Sequence, residues 1–278
     1  MGVIETTEFG GATLAGGQRK LVRTANGVLW EVSARKVSNG GFSTGLKYST
    51  DNQGSWTDAT GQVSSLLPGN QGVTWATYPA IAITDDDRIV IVVTDASTNR
   101  ISLLFGIPSD ATRTAYSWAA VQTSSATDRY LPDVWTHKDP GGSGYYAHIL
   151  SASSSSVYYT QVSATSSGSL TVAPEQNIGS APSGQSVSCA AIDGNHTGDG
   201  KTVKSGQPDL YFSWSVSQAG VGSGIRYRKA TYSSGSWSQG PERELSTASY
   251  ARSLAVAFNG TSVGIAWRNN FNKLCLVE

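Results

Sequence analysis

Residues 48–56 read Tyr48-Ser49-Thr50-Asp51-Asn52-Gln53-Gly54-Ser55-Trp56, a polar, turn-forming run between two short stretches of strand character. Asp, Asn and Gly make tight reversals for physical reasons: a carboxylate accepts from the turn's own backbone N–H groups, and glycine tolerates a positive φ. The stretch is therefore read as a β-hairpin, entered by a strand from Leu46 to Ser49 and left by one that opens on Trp56. In it Asp51 ties the turn, Gly54 is expected to take the positive φ, and Trp56 is expected to bury its ring between neighbouring sheets. That role is structural, with no catalytic part.

The same plan of alternating strand and polar turn recurs along the chain. Candidate inner strands are Arg19 to Thr24, Pro79 to Thr84, Pro132 to His137, Val187 to Ile192 and Arg252 to Phe258. A polar turn follows each, and second strands come at Val28 to Val32, Arg88 to Val93, Tyr145 to Leu150, Leu210 to Trp214 and Val263 to Trp267. Third strands fit Leu46 to Ser49, Ile101 to Phe105, Val157 to Val162, Ile225 to Ala230 and Leu274 to Val277. Fourth strands open on Ser55-Trp56, Ser117-Trp118 and Ser236-Trp237, with Ser169-Leu170 as a degenerate copy. Their exits also repeat, Pro174-Glu175 beside Pro241-Glu242. The fifth unit stops after three strands, and Val3 to Thr7 alternates as a strand should, so it is expected to supply the missing outer strand of the last blade.

Ser49, Asp51, Gly54, Ser55 and Trp56 together resemble the Asp-box of the sialidase, or BNR-repeat, β-propellers. Tyr232 to Trp237 is a shortened relative without the Asp. The resemblance implies an all-β propeller of four-stranded antiparallel blades. The repeat count gives five blades over residues 1–278 as a single domain, with six blades as the alternative. Five-bladed propellers include glycosidases and lectins, so the fold leaves function open.

Composition agrees with many tight turns: of 278 residues 31 are Gly, 8 Trp and 12 Tyr, and only 14% are charged. Twenty basic and twenty acidic residues cancel, which speaks against a broad nucleic-acid-binding or membrane-surface face. No apolar run approaches the roughly 18 residues of a membrane span, and the first residues lack a signal-peptide pattern. Cys189 and Cys275, each in an apolar strand pattern, are expected as buried free thiols.

Candidate chemistry lies on or beside the inner strands, which line the axial pocket of a propeller. Glycoside hydrolysis asks for two carboxylates about 5 to 10 Å apart, and Asp133 is the only acidic residue within an inner strand as read here. Arg19 and Arg252 stand at matching strand starts; with Arg129 they are candidates to clamp an anion, or else to cap strand ends. Tyr78, Tyr130, Trp135 and Tyr250 are the candidate sugar-stacking rings, with interior packing as the other reading. Asp193, Asn195 and Asp199 alternate as the oxygen ligands of a Ca²⁺ loop do, although no glutamate follows at the twelfth position. No other cofactor is implied, and the three histidines show no zinc-motif spacing.

With one inner-strand carboxylate, the expectation is a non-catalytic recognition module that binds glycans or a cell surface. The low-charge, Ser/Thr/Gly-rich composition resembles phage tail and other virion proteins, which implies a virion or extracellular location and virion partners. A glycoside hydrolase and a purely structural subunit are the alternatives.

Overall fold

The computed structural model describes residues 20–36, 42–67, 76–95, 98–124, 126–139, 142–204, 208–218, 221–233, 236–246, 253–268 and 274–277. They form five antiparallel sheets arranged as a five-bladed β-propeller. Blade I holds β1 (Leu21–Arg23), β2 (Leu29–Lys36), β3 (Phe42–Ser49) and β4 (Thr57–Asp58). Blade II holds β5 (Ala76–Ile83), β6 (Ile89–Asp95), β7 (Arg100–Pro108) and β8 (Tyr116–Gln122). Blade III runs through β9 (Tyr130–Lys138), β10 (Tyr145–Ala152), β11 (Ser156–Ala164), β12 (Leu170–Val172) and β13 (Gln176–Ser180). Blade IV runs through β14 (Ser186–Gly194), β15 (Asp209–Gln218), β16 (Val221–Ser233), β17 (Ser236–Gln239) and β18 (Arg243–Ser246). Blade V shows β19 (Ser253–Phe258), β20 (Val263–Arg268) and β21 (Leu274–Val277) among the described residues. The expected closing strand, Val3 to Thr7, lies outside them.

Strand periodicity explains how the blades stack. Successive side chains leave opposite faces of a strand, so a blade between two neighbours needs apolar residues at consecutive positions. In β5, Ile81 and Ile83 pack with Trp30 and Val32 of blade I, whereas Ala80 and Ala82 pack with Val134 and Ile149 of blade III. Every residue of β6 is buried as a result. The same alternation puts Ile192 and Trp214 against Trp135 of blade III, and Ala191 and Tyr211 against Leu254 and Val256 of blade V.

The outer strands depart from the simple repeat. Pro174-Glu175 and Pro241-Glu242 sit at breaks: β12 and β13 both pair with β11, and β17 and β18 both pair with β16. The hairpin at residues 48–56 forms as read from its sequence, with two corrections. Asp51 accepts from Ser49 Oγ at 2.8 Å, Ser55 N at 2.8 Å and Ser55 Oγ at 2.6 Å, and the Ser55 hydroxyl chiefly pulls its carboxyl down to about 2. The positive φ falls on Asn52 (56°) and Gln53 (78°) instead of Gly54. Glycine is needed at 54 because a Cβ there would stand 2.9 Å from Asp51 Oδ2. The strand β4 begins one residue after Trp56, whose ring is half-buried. Both cysteines are free, as expected, but only Cys189 is fully buried; Cys275 is half-buried on the outer strand β21.

Candidate active site at the ring axis

The inner strands β1, β5, β9 and β14 bring a charged cluster to the centre of the ring. Lys20 precedes β1; its ammonium donates to the Pro79 carbonyl on β5 and lies within electrostatic reach of Asp133 on β9 and Glu31 on β2. Burial is the larger influence on it and lowers its pKa to about 8, against the opposing pull of the two carboxylates. Asp133 is 2% exposed and accepts the Ile192 N–H of β14 at 3.0 Å, while Glu31 is 4% exposed. Two buried carboxylates from blades III and I therefore act on one half-buried lysine.

The backbone at the starts of β5 and β9 is strained in a matched way. Tyr78 (φ 58°) and Leu131 (φ 52°) hold left-handed conformations directly before Pro79 and Pro132. Each such residue costs about 1–3 kcal/mol, and such strain clusters at functional sites. The ladders slip there too: β5 to β6 between Thr77 and Ala80, and β9 to β10 between Leu150 and Ala152. Bulges of this kind re-aim side chains next to active sites. Aligned on the prolines, Asp133 occupies in blade III the place that Ala80 occupies in blade II.

The opposite end of the ring is crossed by a strap. The connection between β14 and β15 is far longer than the other first-to-second-strand turns, and its contacts reach blades on both sides. Gly200 O accepts from Trp135 Nε1 of blade III at 3.2 Å, and Lys201 Nζ lies 3.9 Å from Asp87 Oδ1 in the turn of blade II. Lys204 Nζ donates to Gly260 O in the turn of blade V. Asp87 in turn receives Ala25 N of blade I at 2.7 Å and Arg113 Nε at 3.1 Å. Turns of blades I, II and V and Trp135 of blade III are thus tied to the strap, directly or through Asp87, and the opposite mouth bears Lys20, Tyr78 and Tyr130.

The expected site residues divide as follows. Asp133 and Tyr130 stand on β9 and Tyr78 on β5, at the mouth just described. Tyr78 is 37% exposed; Tyr130 is half-buried, and its hydroxyl donates to Val187 O at 3.4 Å. Measured from the prolines, Tyr130 sits one position earlier than Tyr78, so the two are not equivalent by repeat. Trp135 is corrected: it is fully buried, and its ring covers Gly194 so closely that no Cβ fits there. It packs the blade III–IV interface and offers no face to a sugar. Arg129 is also corrected as an anion clamp, because Glu175 already holds its guanidinium at 2.6–3.1 Å and the Tyr158 ring lies 3.4 Å beneath it. Arg19, Arg252 and Tyr250 lie outside the described residues.

The three oxygen donors of the expected Ca²⁺ loop turn to their own neighbourhood instead of a shared centre. Asp193 Oδ2 accepts Phe258 N at 2.8 Å and faces His196 Nε2 at 3.2 Å. Asn195 Oδ1 accepts Asp209 N at 2.8 Å, and Asp199 accepts Lys201 N, Thr202 N and the Thr202 hydroxyl. These bonds shape the strap. Among the described residues no group of three or more His, Cys, Asp or Glu side chains is placed to hold a metal ion.

Sequence reasoning missed Glu31 and Lys20. Glu31 is on a second strand, away from the inner strands on which axial chemistry is expected, and its signal is a lone acidic residue in an otherwise apolar Leu29-Trp30-Glu31-Val32 run. Lys20 falls within the expected strand Arg19 to Thr24, where nothing local marks it for a role.

No family model matches the sequence, and no curated protein matches it. Solved structures similar in fold include the catalytic domain of the Coprinopsis cinerea GH62 α-L-arabinofuranosidase, at 12% identity and a TM-score of 0.46, covering 99% of this chain and 93% of that one. Fructan 1-exohydrolase IIa from Cichorium intybus is similar at 11% identity and a TM-score of 0.43, over 78% of this chain; the chain spans only 42% of that enzyme. A Hadza microbial sialidase is similar at 10% identity and a TM-score of 0.36, over 93% of this chain and 64% of that one. These neighbours are glycoside hydrolases by name. The expectation of a non-catalytic recognition module is corrected on the chain's own geometry: it rested on counting a single axial carboxylate, and the folded chain brings Glu31 within electrostatic reach of the same ammonium as Asp133.

Proposed function

We propose that the chain is a glycoside hydrolase whose axial site works through Asp133 and Glu31. The observation that carries this reading is the convergence of two buried carboxylates, from different blades, on Lys20 at the end of the ring opposite the strap. Glycosidic cleavage needs one carboxyl to protonate the leaving oxygen and a second, ionised, to attack the anomeric carbon or activate a water. Asp133, whose Oδ2 accepts the Ile192 N–H of blade IV, is assigned the ionised role. Glu31 is then the proton donor, and it recovers its proton when water completes the hydrolysis. Tyr78, exposed at the rim, offers a ring to the C–H face of an incoming sugar.

The reading is tested by incubating the purified chain with a panel of aryl glycosides and reducing-end-labelled oligosaccharides. Cleavage of at least one linkage by the wild type, lost in Asp133→Asn, is the expected result. Cleavage undiminished in Asp133→Asn, or no cleavage anywhere in a panel spanning pentosides, hexosides and sialosides, contradicts it.

A further inference from the structure

Away from the axis, the break in the outer strand of blade IV opens a recess of about 350 Å³. Its wall is one face of β16, where Tyr227, Lys229 and Thr231 project at every second position; Ser238, Gly240 and Arg243 complete it from the broken fourth strand. The break is held open by the backbone: Gly240 N donates to Lys229 O at 2.8 Å, which ends the β17 pairing, and the ladder resumes with Tyr227 opposite Arg243. On the sheet's other face the charges cancel, since Arg226 lies 2.5 Å from Glu244 and Arg228 lies 3.7 Å from Glu242. Inside the recess Lys229 is matched by Asp209 at 2.7 Å, whereas Arg243 forms no ion pair among the described residues. It stands beside the half-buried Tyr227 ring.

We infer that this recess is a second saccharide-binding site, distinct from the axial cluster, for a pyranose that carries a carboxylate. Each wall matches one part of such a ligand. The Tyr227 ring takes the apolar C–H face of the sugar, and the exposed hydroxyls of Thr231 and Ser238 meet its hydroxyls. Arg243 supplies a planar fork that bonds a carboxylate in bidentate fashion. The volume is at the low end of ligand pockets, which suits one or two sugar rings and not a long chain. A neutral sugar leaves the arginine without its partner.

The test is an NMR titration of the ¹⁵N-labelled full chain with methyl β-D-glucuronide and, separately, methyl β-D-glucoside. Backbone signals of residues 227–231 and 238–243 report on the recess, and those of β9 report on the axis. Expected are saturable shifts at the recess with the glucuronide and binding at least about tenfold weaker for the glucoside, with a similar loss in Arg243→Ala and partial retention in Arg243→Lys. Because the readout is local, the outcome does not depend on whether the axial site hydrolyses anything. Equal response to both sugars, shifts confined to the axis, no saturable shift, or full binding in Arg243→Ala overturns the inference. All variants are surface changes whose folding is checked by the unchanged dispersion of the remaining signals.

Discussion

The Asp133 carboxylate on the inner strand of blade III accepts the backbone N–H of Ile192 on the inner strand of blade IV at 3.0 Å. The next blade repeats the device, with Asp193 accepting Phe258 N of blade V at 2.8 Å. A buried side chain thus stitches the inner strands of blades III and IV, and of blades IV and V, where no ladder joins them. It also separates structural from chemical roles at Asp133. Asparagine can still accept the Ile192 N–H, whereas alanine leaves that buried donor unmatched. Asp133→Ala is therefore expected to lower unfolding stability by about 1–3 kcal/mol, and Asp133→Asn by much less, in urea melts.

Lys20 supplies a pH signature. Its folded pKa is lowered from 10.5 to about 8, mainly by burial. Between about pH 8 and 10.5 the unfolded chain keeps that proton and the folded chain gives it up, so the wild type gains stability as pH rises through this window. The gain is on the order of 3 kcal/mol. Lys20→Met lacks the term, so the wild type's urea midpoint should rise relative to that of Lys20→Met from pH 7 to pH 10. A difference independent of pH would mean that Lys20 is not buried as a charge.

Blade III contains a buried hydrogen-bond chain whose tautomers follow from one carbonyl. Lys138 O accepts from His137 Nδ1 at 2.8 Å, so His137 Nε2 is the acceptor for His148 Nε2–H at 3.1 Å, and His148 Nδ1 receives the Tyr159 hydroxyl at 2.8 Å. Burial lowers the pKa of both imidazoles, that of His148 well below 6.5, with neighbouring His137 adding to the effect. Below pH 6.5 the unfolded state binds the extra protons first, so stability is complete above that pH and falls as pH drops through it. Long-range ¹H–¹⁵N spectra should show neutral Nδ1–H for His137 and neutral Nε2–H for His148 at pH 6. A protonated ring in either would contradict the chain.

Asp87 and Lys201 are joined across the ring, yet the two partners matter unequally. Asp87, 3% exposed, also receives Ala25 N and Arg113 Nε, so Asp87→Ala strips two further donors and should cost about 1–3 kcal/mol. Lys201→Ala removes one long pair at 3.9 Å and should cost less than about 1 kcal/mol. Thermal melts of the two variants decide it, and equal losses would place the stability in the strap.

Much of the ring was legible in the sequence because blade strands obey a period of two and their turns are made of Asp, Asn and Gly. All five inner strands fall where the alternation puts them, within a few residues. The doubled outer strands were visible only as repeated Pro-Glu exits, since pairing partners are not written locally. The site was less legible. Asp133 could be found because it interrupts an inner strand, but Glu31 required knowing that a second-strand residue near the strand start faces the same ammonium. Trp135 misled because an aromatic beside an acidic residue looks alike in a sugar site and in a core, and only Gly194 beneath its ring settles which it is.

The most direct measurement is the hydrolysis rate of Glu31→Gln beside the wild type, on whichever glycoside the wild type cleaves, with thermal melts to confirm that the ring is intact. The account predicts a fall of at least about a hundredfold with little change in melting temperature, the loss typical of removing a general acid. Full activity in Glu31→Gln would contradict the paired-carboxylate site.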